Sequence, residues 1–317
     1  MLSAITKRIA PSFSALSRNM SVNVQGSPFK LALIQLAVTD SKEHNLKHAH
    51  ERVMEASKQG AKVVVLPECF NSPYGTKHFP EYAEDIPEGA SITALSAMAK
   101  EAKVYLFGGS IPERESSTGK IFNTLTVYNP LGEMIAKHRK VHLFDIDIPN
   151  KIRFQESEIL TGGSWLTHVD TEYGKFGTAI CYDIRFPEIA MIAARKGCIA
   201  MIYPGAFNTT TGPLHWELLQ RARSAVDNEM YVAACSPARD ESTEYHAWGH
   251  STIVDPKGQV LATCEEKEAI IYATIDPQEI LDTRKHIPLY GQRRFDVYED
   301  VSQKAEESSD GKITLKE

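Results

Sequence analysis

The chain predicts an α/β fold in one domain, and three observations carry that expectation. Short apolar, β-rich runs such as Lys30 to Val38 (KLALIQLAV) and Lys62 to Leu66 (KVVVL) alternate with segments of helical period. These runs are apolar almost throughout, as strands buried on both faces are. No Pro/Ser-rich linker divides the 317 residues, 42% of them hydrophobic, so one large core can form.

Taken in order, Lys30 to Val38 is a buried strand. Glu43 to Gln59 follows as a helix, with Leu46, Ala49, Val53 and Ala56 on one face and Gly60 as its stop. Lys62 to Leu66 closes a β-α-β unit and runs straight into Pro67-Glu68-Cys69-Phe70. A helix from about Ser91 to Ala102 leads to a strand, Val104 to Gly108. Thr124 to Asn129 and Glu133 to Lys137 form a hairpin turned at Pro130-Leu131-Gly132. The run Phe176 to Ile180 ends at Cys181, and a helix with Ile189, Ile192 and Ala193 on its inner face follows. A strand at Ala200 to Tyr203 and a long helix from about Pro213 to Asn228 come next. Strands near Val232, Ser251 to Val254, Gln259 to Ala262 and Ile270 to Thr274 complete the domain, about residues 29–298. The polar tail 299–317 is expected to be disordered or an interface strap.

Residues 1–28 differ from the rest. No acid precedes Asp40, Lys7, Arg8 and Arg18 stand among serines, and Leu2, Ile5, Ile9, Phe13 and Leu16 recur at helical spacing. This composition reads as a mitochondrial transit peptide or, failing that, a disordered N-terminus. Met20 offers a second start, so the expected location is mitochondrial, cytoplasmic or both. A net charge of −6 excludes a nucleic-acid scaffold, and no apolar run is long enough to span a membrane. Five irregularly spaced cysteines form no disulfide framework.

Three places carry a reactive residue at the end of a strand, where catalytic groups collect in α/β sheets. Glu68 follows VVVLP, Lys140 sits in His138-Arg139-Lys140-Val141-His142-Leu143, and Cys181 follows FGTAI. A cysteine between a strand and a helix lies beside free N–H groups that favour its thiolate. Together the three could hydrolyse an amide covalently. Glu68 would serve as base, Cys181 as nucleophile, and Lys140 would stabilise the oxyanion with a backbone N–H near Cys181. Taken singly, each also reads as something plainer: a solvated acid, a surface cation and a small core residue.

The blocks Leu66-Pro67-Glu68-Cys69-Phe70, His138 to Leu143 and Cys181-Tyr182-Asp183-Ile184-Arg185-Phe186-Pro187-Glu188 resemble, in order, the signatures of the nitrilase (carbon–nitrogen hydrolase) superfamily. The resemblance covers about residues 29 to 295. It implies a Glu68-Lys140-Cys181 triad, a supporting second glutamate at Glu156, and a four-layer αββα sandwich. It also implies no metal or organic cofactor and a homodimer paired through helices. Asn71 to Gly75, Phe144 to Pro149, Tyr203 to Pro213 and His215 to Leu219 resemble the branch that cleaves the terminal amide of 2-oxoglutaramate and succinamate, an omega-amidase activity. The free carboxylate of such a substrate needs a cation. Arg185, Arg221 and Arg223 are candidates, with Tyr74 and Thr210 as hydrogen-bond donors.

Rival readings are weaker. A papain-like pairing of cysteine with His215, His246 or His250 lacks its sequence context. The His138/His142 and His246/His250 pairs have i, i+4 spacing but no H-E-x-x-H glutamate, which argues against a metal. Cys69 reads as pocket wall, and Cys198, Cys235 and Cys264 as core. Within the family, an amidase acting on deaminated glutathione is the nearest alternative. Outside it stands a non-catalytic interaction protein that keeps the fold, against which an intact triad argues.

Overall fold

The computed structural model describes Val24, residues 26–149 and residues 152–315. The expected targeting segment lies almost wholly outside the described residues. The first half builds β1 (Phe29–Gln35), α1 (Lys42–Lys58), β2 (Val63–Val65), α2 (Ala90–Ala102) and β3 (Tyr105–Phe107), so that β1, β2 and β3 run parallel. Ser41 opens α1 by accepting from the His44 N–H, and Gly60, at φ +87°, follows its end. Then come β4 (Ile111–Arg114), β5 (Ile121–Tyr128) and β6 (Met134–Arg139). With β15 (Ala269–Ile275) antiparallel to β1, these strands make a seven-stranded sheet.

The second half repeats the scheme. β9 (Leu166–Thr171) pairs antiparallel with β10 (Gly174–Thr178), and β10 runs parallel to β11 (Cys198–Pro204) and β12 (Tyr231–Cys235). α3 (Pro187–Arg195) and α4 (Gly212–Arg221) form the two crossovers. β13 (Thr252–Val254) and β14 (Val260–Thr263) extend the sheet on one side.

The two sheets face each other. Leu31, Leu33, Val63, Val65, Phe107 and Val127 of the first join Phe176, Ile202 and Ala233 of the second in one buried cluster, which continues to Ala190, Ala193 and Trp216 of α3 and α4. A separate cluster seats α1 and α2, through Val53, Ala56, Leu95 and Met98, on Ala32, Ile34 and Val64. Helix, sheet, sheet, helix is the four-layer order. Each fully buried aliphatic side chain here contributes about 1.5–3 kcal/mol.

The structure departs from the sequence reading in several places. The helix expected to reach Asn228 ends at Arg221 and continues as a π turn, Ala222–Val226. A hairpin of β7 (Asp145–Ile148) and β8 (Ile152–Gln155), together with β4, β9 and the helix α5 (Pro277–His286), lies where no element was expected. Within the polar tail, residues 305–307 and 312–315 form regular structure. β16 (Ala305–Glu307) and β17 (Lys312–Leu315) form a hairpin whose second strand pairs with β9. Ala305 and Ile313 are buried beside Ile192, and the hairpin covers an edge that β9 would otherwise leave open. Gly311, at φ +74°, makes its turn.

Candidate active site

Glu68, Lys140 and Glu156 are brought together from three elements, and all three are buried. Glu68 lies three residues past β2, Lys140 directly follows β6, and Glu156 follows β8. The Lys140 ammonium donates to Glu68 Oε1 at 3.1 Å and stands 2.9 Å from both oxygens of Glu156. Each carboxylate is held by further donors. Asn123 Nδ2 (2.8 Å) and the Ala206 N–H (2.7 Å) point at Glu68. The Phe144 N–H (2.7 Å) and the Tyr74 hydroxyl (3.0 Å) point at Glu156. Burial alone would push the proton off Lys140, but the Glu156 and Glu68 carboxylates outweigh it and hold the ammonium well above its ordinary pKa. Burial raises Glu156 despite Lys140 beside it.

Cys181 joins this cluster from the opposite sheet. It opens a 3₁₀ turn (Cys181–Arg185) with φ +49°, a left-handed conformation that costs a non-glycine residue about 1 kcal/mol. The expectation that a helix N-terminus would favour its thiolate is not met. The residue starts a single 3₁₀ turn ahead of α3, and burial followed by the Glu68 charge push the thiol well above its ordinary pKa, against the pull of Lys140. The thiol is therefore held in its neutral form, with the Glu68 carboxylate close enough to oppose its ionisation. Gly205, at the end of β11, makes room for it, since a Cβ there would stand 3.1 Å from the Cys181 Cα.

A cavity of about 810 Å³ reaches Glu68 of this cluster, its wall including Cys69, Tyr74, Arg153, Phe154 and Tyr245. Tyr74 and Tyr245 pack with ring centroids 4.4 Å apart, and burial raises both hydroxyls well above their ordinary range. The wall is aromatic with a few polar atoms, suited to a small polar organic molecule.

The carbon–nitrogen hydrolase family profile matches residues 30–285. A hydrolase of Schizosaccharomyces pombe is 62% identical over 86% of this chain and 84% of its own, and the omega-amidase NIT2 of Bos taurus is 56% identical over 87% and 99%. The crystal structure of Saccharomyces cerevisiae Nit3, a member of branch 10 of the nitrilase superfamily, superposes with a TM-score of 0.80. Its sequence is 49% identical, covering 87% of this chain and all of that one. The chain belongs to the carbon–nitrogen hydrolase family. It is an enzyme that hydrolyses amides, on the αββα sandwich expected of that family.

The other candidates in this hydrolase divide. Tyr74 is in the site. Arg185 ends the 3₁₀ turn that Cys181 opens. Its guanidinium stands over Phe207 (4.9 Å) and Tyr182 (5.5 Å), with His215 Nδ1 3.1 Å from Nη1, and its buried Nε finds no partner among the described residues. It pairs with neither Asp183 nor Glu188. Arg223 is spent on structure, donating to the carbonyls of Ile184 and Arg185 and to Asp227, and Arg221 caps the Gly258 carbonyl at the surface. Thr210 is exposed, its N–H donating to Asn208. Cys69 is pocket wall, while Cys198 and Cys235 are buried and Cys264 half-buried. Sequence reasoning missed Asn123, Tyr245 and the Ala206 and Phe144 N–H groups. Only Asn123 left a trace, as a lone amide in the apolar strand IFNTLTVY.

Proposed function

We propose that this hydrolase is an omega-amidase. It releases ammonia from the terminal amide of dicarboxylic acid monoamides such as 2-oxoglutaramate and succinamate through a thioester on Cys181. The observation that carries the chemistry is the buried cluster of two carboxylates and one ammonium against a neutral thiol. Glu68 takes the thiol proton as the sulfur attacks the amide carbon. The negative oxygen of the tetrahedral intermediate is held by Lys140 and a backbone N–H near Cys181. Collapse returns the proton from Glu68 to the departing nitrogen, and ammonia leaves. Glu68 then deprotonates a water that attacks the thioester, giving the free acid and regenerating the thiol. Glu156 holds Lys140 in place and charged.

Arg185 receives the substrate's free carboxylate. It is supported by its unpartnered Nε, its lack of a carboxylate partner and its nearness to Cys181. Arg185→Lys should raise KM for succinamate and spare a neutral amide, whereas equal loss on both would remove it from recognition. The enzyme pairs as a homodimer through α4, where Leu214 (64% exposed) and Leu218 (62%) stand one turn apart and Val226 (65%) follows in the π turn. Leu218→Glu should halve the mass seen by light scattering. A second reading, hydrolysis of deaminated glutathione, is favoured by a cavity of about 810 Å³, roomy for a five-carbon acid. Ammonia release from 2-oxoglutaramate, succinamate and deaminated glutathione, assayed side by side, separates the two. Fast turnover of the small amides supports the omega-amidase, and turnover of the large one alone replaces it.

A further inference from the structure

We propose that Asp183 is a positioning residue, a carboxylate clasp that holds the Cys181 turn of one sheet in register with the Lys140 strand end of the other. The idea rests on the covalent mechanism above. Cys181 and Lys140 follow strands of different sheets, so nothing in either sheet's hydrogen bonding fixes one against the other. Asp183 does. Its Oδ2 accepts from the Ile180 N–H at 3.0 Å, on the residue just before Cys181. Its Oδ1 accepts from the His142 N–H and lies against His142 Nδ1, both at 2.8 Å, two residues past Lys140. The Val141 N–H approaches Oδ2 at 3.4 Å, and His138 Nε2 stands 3.6 Å away on β6.

The side chain is fully buried, and its neighbours hold it ionised. Burial opposes the charge, but His138 and His142 keep the carboxyl well below its usual range. The His138/His142 spacing, which in the sequence resembles a metal-ligand pair, thus serves a carboxylate that reaches across from the other sheet. His142 is set in turn by stacking on Phe186, 3.6 Å between ring centroids and 9° from parallel. Phe186 closes the 3₁₀ turn that begins at Cys181, so the contact runs from one catalytic segment to the other twice.

Register matters because the left-handed backbone at Cys181 is strained and relaxes when released. A displacement of about 1 Å between nucleophile and oxyanion donor is worth about 100-fold in rate. Arg185, at the far end of the turn, is held separately by Arg223 on its carbonyl and by His215, so loss of the clasp falls mainly on kcat and moves KM little.

The test uses the full chain and three variants. Asp183→Asn keeps the volume but turns an N–H toward one of the donors now accepted, so kcat on succinamate should fall about 100-fold with KM held within about threefold. His142→Ala should lower kcat about tenfold. His142→Asn, whose amide nitrogen hangs from Cγ as Nδ1 does, should recover most of that. Alkylation of Cys181 by iodoacetamide, which needs no amide substrate, should slow in the same order, so the clasp is read even if the substrate assignment fails. Wild-type kcat and alkylation in Asp183→Asn would overturn the proposal. So would His142→Asn as slow as His142→Ala, or a loss that falls on KM. If Asp183→Asn does not fold, the His142 pair decides alone.

Discussion

Arg139 and Lys140 are neighbours where β6 ends, and each delivers a cation to buried carboxylates, yet the two clusters are built to opposite ends. Around Arg139 the charges balance. Its guanidinium grips Glu113 through two bonds of 2.8 and 2.7 Å, Lys137 joins Glu113 at 2.9 Å, and Glu115 accepts from Arg139 at 2.9 Å. Two cations meet two carboxylates, with Lys137 and Glu115 at the half-exposed rim. Burial works against Glu113, but Arg139, Thr124 and Lys137 still hold it below its ordinary range. Around Lys140 one cation serves two fully buried carboxylates, and Glu156 is pushed up instead of down. A balanced buried network fixes the chain, whereas an unbalanced one, with a carboxylate pushed off its ordinary range, marks a place for chemistry.

That contrast can be broken at several points. Glu68→Gln removes the proton acceptor, and ammonia release should fall by about 10⁴-fold or more, with circular dichroism unchanged. Substantial residual turnover would move the base elsewhere. Glu156→Gln restores the balance around Lys140, so kcat should fall about 100-fold. A wild-type rate would make the second carboxylate structural only.

On the balanced side, Glu113→Gln should cost about 2 kcal/mol in urea unfolding while kcat at low temperature stays within a few-fold. A large kcat loss without a stability loss would erase the distinction. The smallest effect at neutral pH belongs to His168, a buried group with no counter-charge beside it among the described residues. Burial, with Lys175 and Lys196 nearby, brings it down to about 3, and its Nδ1 has no partner among the described residues. Its folded pKa lies below the unfolded one, so the neutral form stabilises the fold above about pH 6.5, and that stability is lost as pH falls from there toward 3. His168→Gln should flatten the acid limb by about 1.4 kcal/mol per pH unit and change little at pH 7.

Much of this was legible in the sequence, for identifiable reasons. Strands such as KLALIQLAV and KVVVL are buried on both faces and announce themselves by composition, and the reactive residues stand where such strands end. What stayed hidden depends on partners far along the chain. β9 (LTHVDT) and the tail hairpin are polar strands whose few inward residues, such as Ile313, gain meaning only from pairing with one another. The donors that hold Glu68 and Glu156 are partly backbone N–H groups, which no residue identity marks. The raised thiol pKa of Cys181 is the clearest reversal. A strand-to-helix corner suggested stabilised charge, but burial beside Glu68 dominates, so the proposed attack by this sulfur depends on Glu68 to remove its proton.

The identity of the nucleophile is the most direct test, because it is Cys69 that lines the cavity and neighbours Glu68 in the chain. Ammonia release from succinamate should be measured for wild type, Cys69→Ala and Cys181→Ala under identical conditions. The expected result is turnover by the first two and none above background by the third, with all three folded. Turnover by Cys181→Ala, or its loss only in Cys69→Ala, would contradict a thioester on Cys181.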